Sequence, residues 1–150
     1  MSQSYTSSLY HCVWSTRYRR RSIRTQFQQD LWECLAAIAK KKHMKALAVG
    51  GIEDHVHVLL SIPATIDIAR AIQLIKGGAS KWVNETFQKL TRFSWQKGYG
   101  AFSIGISQLE DTIDYINRQA EHHAQRSFQD EFVAMLDKNR ISYDPQRLWD

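Results

Sequence analysis

The chain has 150 residues, with 20 Lys and Arg against 15 Asp and Glu and a formal net charge of +5. That length predicts one domain, residues 1–150, able to bury a real core. No apolar run approaches the ~20 residues of a membrane span, and the moderate basic excess suits a polyanionic partner without demanding one.

The opening MSQSYTSSLY lacks the apolar stretch of a signal peptide. Cys12 and Cys34 do not form a CxxC pair and read as reduced core thiols, which points to the cytoplasm. LYHCVWST, rich in β-branched and aromatic residues, predicts a first strand. A basic turn, RYRRRSIR, follows it. There Arg17, Arg19, Arg20, Arg21 and Arg24 surround Tyr18, a composition suited to phosphate contact and base stacking and equally to a solvated loop.

Phe27, Leu31, Cys34, Leu35 and Ile38 recur at helical spacing and predict an amphipathic helix over 25–42. MKALAVGGI predicts a second strand and HVHVLLSI a third. The short link between them makes the two antiparallel neighbours. Pro63 and Thr65 then open a helix, with Thr65 as the expected N-cap and Asp67 in the first turn. Ile68, Ile72, Ile75, Ala79, Trp82 and Val83 form its apolar stripe. Gly77 and Gly78 interrupt it, predicting a kink, a break or a close backbone approach. Lys76 and Lys81 flank these glycines and are further candidates for DNA contact.

AFSIGIS predicts a fourth strand, with Phe102, Ile104 and Ile106 facing one way. A helix over about 109–125 and a short one in SFQDEFVAML, with Ser127 and Asp130 spaced as a capping-box variant, complete the chain. The order β-α-β-β-α-β followed by helices predicts an α+β, ferredoxin-like or RRM-like antiparallel sheet. Helices are expected on one face only, with the other face open and a C-terminal helix carrying a tyrosine.

The third strand raises the chemical question. Alternation puts Val56, Val58 and Leu60 on one face and His55 and His57 on the other. Two imidazoles then point the same way with Cβ atoms ~7 Å apart, close enough to share a metal ion. H-x-H also occurs by chance, so partners are needed. In DTIDYINRQAEHHAQ, Ile113, Ile116 and Ala120 share one helical stripe, while Tyr115, Gln119 and His122 share the opposite one. Two imidazoles and an amide oxygen make a three-ligand site without a carboxylate, suited to polarising a phosphodiester. A phenol beside it is a nucleophile that would form a phosphotyrosine. His122 and His123 read as structural. Glu53 and Asp54 either orient an imidazole or are simply solvated.

DHVHVLLSIP, IKGGASKWVN, FSWQKGYGAFSI, YINRQAEHH and ISYDPQRLWD resemble the small HUH single-tyrosine transposases of the insertion-sequence 200/605 class, from about residue 9 onward. The resemblance implies His55, His57 and Gln119 as metal ligands and Tyr115 as the nucleophile. It implies Mg2+ or Mn2+ as cofactor, and single-stranded DNA hairpins at element ends as partners. It implies a homodimer in which the tyrosine helix can serve the partner's site. Cleavage would leave a 5′-phosphotyrosine and a free 3′-hydroxyl, and the strand would be rejoined without ATP. Three alternatives stay open: a REP-associated tyrosine transposase acting on chromosomal hairpin repeats, a non-catalytic RRM-like nucleic-acid-binding module, and a metal-dependent hydrolase using water.

Overall fold

The computed structural model describes residues 3–149. The elements run β1 (Leu9–Ser15), α1 (Gln28–Lys41), β2 (Lys45–Ile52), β3 (His55–Ser61), α2 (Ile68–Thr86), β4 (Gly100–Ile104), α3 (Leu109–Asn117), α4 (Gln119–His123) and α5 (Phe128–Lys138). The four strands form one antiparallel sheet in the order β2-β3-β1-β4. Each helical crossover thus leaves room for a strand of the other half, which is the split βαβ arrangement expected from the element order.

Period-two alternation decides which side each strand residue serves. Cys12, Trp14, Val56, Val58 and Leu60 point into the main core, where α1 adds Leu31 and Leu35 and α2 adds Ile72, Ile75 and Val83. The expected break at Gly77 and Gly78 does not occur, and α2 runs through both. A close approach does occur: a β-carbon on Gly78 would stand 2.8 Å from Ile38 Cδ1, so α1 and α2 pack closely there and a side chain at 78 would require Ile38 to shift. The cap is Asp67 rather than Thr65, because the Asp67 carboxylate accepts from the Arg70 N–H at 2.7 Å. An aspartate adjoining the first helical residue satisfies an orphan donor that Thr65, two residues earlier, does not reach.

The fourth strand ends at Ile104. Gln108 Oε1 accepts from the Gly105 N–H at 2.9 Å, and the chain turns, leaving Ile106 71% exposed rather than on the sheet. The face expected to be open is covered. Val13 and Phe102 meet Phe128, Phe132 and Leu136 of α5 there, while α3 and α4 lie over β2 and β3. Ser127 Oγ accepts from the Asp130 N–H at 3.1 Å and caps α5 as its spacing predicts. No helix among the described residues is long and apolar enough to cross a membrane.

Candidate metal and tyrosine centre

His55 and His57 stand on the β3 face beneath α3–α5, and both are fully buried. In register they sit beside Ser15 and Val13 of β1 and beside Ile52 and Gly50 of β2. Ser15 and Gly50 are the small residues of that set, one beside each histidine.

The predicted helix over 109–125 is two helices. Arg118 leaves helical geometry, with φ −109° and ψ 27°, and α4 starts afresh at Gln119. The change of direction alters which residues face in. Gln119 is buried and Ala120, expected on the apolar stripe, is exposed. Tyr115 is half-buried, and its ring stacks on His122 with centroids 4.5 Å apart. His123, expected to be structural, points its Nε2 at the histidine pair.

Sequence reading missed Glu131. It lies on the buried stripe of α5 with Phe128 and Phe132 and is fully buried. Its Oε1 is 2.9 Å from His57 Nε2, 3.1 Å from His123 Nε2 and 3.4 Å from His55 Nε2. Its Oε2 accepts from the Tyr115 hydroxyl and, at 3.2 Å, from Gln119 Nε2. A carboxylate thus stands among the predicted ligands, where the sequence reading placed none. An acid on an apolar helical stripe was the available signal, because a buried charge requires a partner.

The outer nitrogens are held as well. His55 Nδ1–H donates to Asp54 Oδ1 at 2.7 Å, and His123 Nδ1–H donates to the Arg126 carbonyl at 2.8 Å. His57 Nδ1 shares a proton with His11 Nε2 at 2.7 Å. Of the two turn carboxylates, Asp54 is thus the one that orients an imidazole. With each Nδ1–H held outward, the Nε2 atoms of His55 and His123 face Gln119 Oε1 at 2.9 and 3.1 Å, lone pair to lone pair unless a cation or a proton stands between them. Gln119 Nε2 faces two acceptors, Glu131 Oε2 and the Tyr115 carbonyl, which leaves its Oε1 turned inward.

Lone pairs converging in a buried space call for a positive charge. Without a cation the protein supplies protons. Burial lowers His55, but its bonds to Asp54, Glu131 and Gln119 outweigh that and push it up to about 9. Burial likewise dominates His57 and takes it down to about 4, against the raising effect of Glu131. Burial alone would raise the Glu131 carboxyl, but bonds from His123, His55 and His57 hold it well below the usual carboxylate range. Burial, then the bond to Glu131, pushes the Tyr115 phenol up to about 12, although Arg126 opposes them.

Donor atoms of His55, His57, His123 and Glu131 all lie within 4.8 Å of one another. Metal–ligand bonds of about 2.0–2.1 Å set neighbouring donors roughly 3.0–3.4 Å apart. The donor set and the held outer nitrogens fit a divalent cation.

A sequence model described as "Transposase IS200 like" matches residues 4–119. The chain belongs to the IS200-like transposase family. As a member it is a transposase, a DNA-cleaving enzyme. The transposase for insertion sequence element IS200 of Salmonella typhimurium is 27% identical over 117 residues, covering 75% of this chain and 76% of that protein. The ISDra2 transposase TnpA of Deinococcus radiodurans is 24% identical over 86 residues, covering 57% and 61%. Two solved structures share the fold. One is a candidate transposase of Deinococcus radiodurans R1, with TM-score 0.62, 21% identity, and 79% of this chain and 96% of that one covered. The other is a REP-associated tyrosine transposase bound to a REP hairpin, with TM-score 0.60, 17% identity, and coverage of 82% and 73%.

The remaining candidates of this transposase lie elsewhere. Thr16 N–H donates to the Asp54 carbonyl at 2.9 Å, so the basic turn begins beside the strand end that bears His55. Tyr18 is 62% exposed and adopts φ 56°. The Arg17 and Arg20 guanidinium carbons lie 5.1 and 5.3 Å from its ring centroid. Arg19 lies over Trp149 and Arg21 pairs with Glu53 at 3.6 Å. Lys76 Nζ donates to the Gln96 and Gly98 carbonyls at 2.7 and 3.0 Å, so it braces that loop rather than standing free for a phosphate. Lys81 is exposed on α2, across the sheet from the histidines.

Proposed function

We propose that this transposase cleaves and rejoins single-stranded DNA at insertion-sequence ends with Tyr115 as nucleophile and a divalent metal, Mg2+ or Mn2+, held by His55, His57 and Gln119. The observation that carries it is the meeting of the Tyr115 hydroxyl and the imidazoles of His55 and His57 on a single buried carboxylate, Glu131. A nucleophile and a cation site that share a hydrogen-bonding group stand at the distance a scissile phosphate would bridge.

A divalent ion bound there supplies Lewis-acid polarisation of a phosphodiester oxygen. The residues supply the rest. Tyr115 Oη attacks phosphorus, the bond from phosphorus to the 3′-oxygen breaks, and the departing oxygen takes up a proton. The products are a 5′-phosphotyrosine and a 3′-hydroxyl. A phosphodiester is exchanged for a phosphodiester, so a second 3′-hydroxyl reverses the step with no outside energy. A phenol is protonated at neutral pH and burial tightens its hold on the proton, so that proton must leave as the oxygen attacks. Glu131 Oε2 accepts the hydrogen bond from the Tyr115 hydroxyl, and Arg126 Nη2 donates to Tyr115 Oη at 3.2 Å. Asp54 and His11 keep the two strand imidazoles turned inward.

Two features support a single-stranded DNA partner. One is the basic turn with its Tyr18 platform, where Arg17, Tyr18, Arg20 and Arg92 line one cavity. The other is the REP hairpin bound by the structural neighbour. We read the functional unit as a homodimer with a tyrosine able to act in either protomer's site.

The test is incubation with labelled single-stranded DNA from candidate element ends and Mn2+ or Mg2+, followed by a denaturing gel. Wild type should give a slow-migrating protein–DNA adduct and Tyr115→Phe none. Cleavage without an adduct in both proteins would replace this reading with a hydrolase that uses water.

A further inference from the structure

Two donors of the cluster come from beyond the part of the chain that the family match covers, residues 4–119. His123 ends α4 and Glu131 lies on α5. Neither position is explained by packing. Glu131 is wedged into the stripe by which α5 docks on the sheet, where a carboxylate carries a severe desolvation penalty unless charge offsets it. The His123 side chain is 3% exposed, and its Nδ1 is anchored by the Arg126 carbonyl, so Nε2 is aimed inward. A metal-ligating imidazole almost always donates its other ring N–H in this way, which fixes its tautomer.

We propose that Glu131 and His123 are themselves ligands beside His55, His57 and Gln119, making a centre of three imidazoles, one amide oxygen and one carboxylate that prefers a nitrogen-binding first-row ion such as Mn2+ or Co2+ to Mg2+. The proposal rests on the reading of this cluster as a metal centre and narrows its cofactor. Mg2+ favours oxygen donors, strict octahedral geometry and retained water, all poorly met by His55, His57 and His123. Imidazole donors favour later first-row ions. Glu131 Oε1 faces the imidazoles while Oε2 faces Tyr115 and Gln119. One carboxylate thus spans the ion and the nucleophile, and it removes one of the two positive charges that three neutral ligands would leave.

The test is calorimetric titration of the full-length chain, stripped with chelator, with MnCl2 and with MgCl2. Mn2+ should bind at least roughly tenfold more tightly than Mg2+, and Glu131→Gln and His123→Ala should each weaken Mn2+ binding at least roughly tenfold. Circular dichroism verifies that each variant is folded. Should either variant fail to fold, nitrogen couplings in the electron-spin-echo spectrum of Mn2+-loaded wild type count the imidazoles. Three support the proposal and two overturn it. Equal affinity for the two ions, or wild-type Mn2+ affinity in a folded variant, also overturns it. The covalent adduct assay reads separately. An adduct with unaltered Mn2+ binding in Glu131→Gln defeats only this proposal, whereas Mn2+ binding as expected without any adduct defeats only the tyrosine chemistry.

Discussion

Gly50 of β2 and Ile116 of α3 touch backbone to backbone: a β-carbon on Gly50 would stand 2.4 Å from the Ile116 carbonyl oxygen. Gly50 is the register partner of His57, so the missing side chain is what lets the tyrosine helix settle on the histidine strand. Gly50→Ala should lift α3, move Tyr115 and Gln119 from the cluster, and cost about 1–3 kcal/mol as overpacking against rigid backbone. Thermal melting reads the stability loss, and the adduct gel should show a loss of cleavage larger than the stability change explains. An alanine variant with wild-type adduct yield would show that the contact does not position the nucleophile.

Asp54 reaches the centre only through His55 Nδ1, at 2.7 Å. Asp54→Ala should leave the fold intact and weaken divalent-ion affinity about 10–100-fold, the usual effect of removing a carboxylate behind a ligating histidine. Titration calorimetry with Mn2+ measures it. Asp54→Asn, which still accepts a hydrogen bond through its amide oxygen, should recover part of the loss.

Acid should destabilise the metal-free chain from mildly acidic pH downward. Burial, then His57, lowers His11 to about 3, and burial lowers His57 to about 4, both from 6.5. Between those values and 6.5 the unfolded chain binds more protons than the folded one, so stability falls as pH drops through that window. Glu131, held low, adds a loss of the same sign below 4.5. His55 acts oppositely: raised to about 9, it contributes stability that is complete below 6.5 and lost as pH rises through 9. Melting temperatures in chelator should therefore peak near neutral pH and decline on both sides. A curve that rises steadily toward pH 4 would contradict the buried neutral state of His11 and His57.

Tyr18 has positive φ and carries Arg17 and Arg20 against its ring. Removing the ring with Tyr18→Gly relaxes the backbone yet should cost about 1–3 kcal/mol of single-stranded DNA affinity if a base stacks there. Arg17→Gln should weaken binding across sequences and reduce the salt slope by about 0.7, as one phosphate contact on a single strand is lost. Fluorescence anisotropy at several salt concentrations separates the two effects. Equal affinity for Tyr18→Gly and wild type would assign the turn to electrostatics alone.

Local pattern determined much of this protein by itself. Strand alternation put His55 and His57 on one face opposite Val56 and Val58, and the element order β-α-β-β-α-β carried the sheet topology. Tyr115 and Gln119 were paired by one helical turn. Those signals are legible because they depend on periods of two and 3.6 residues, which are read from neighbours in sequence. The tertiary structure decided what periodicity cannot reach. The break at Arg118 reset the helical face, burying Gln119, exposing Ala120 and turning His123 inward. Gly78 met Ile38 across two helices without breaking its own. Glu131, twelve residues beyond Gln119 on a separate helix, became the centre of the cluster only once α5 closed the sheet face expected to be open. A buried carboxylate is chosen by charges distant in sequence that offset its desolvation, and their arrival at one point is a property of the packed chain.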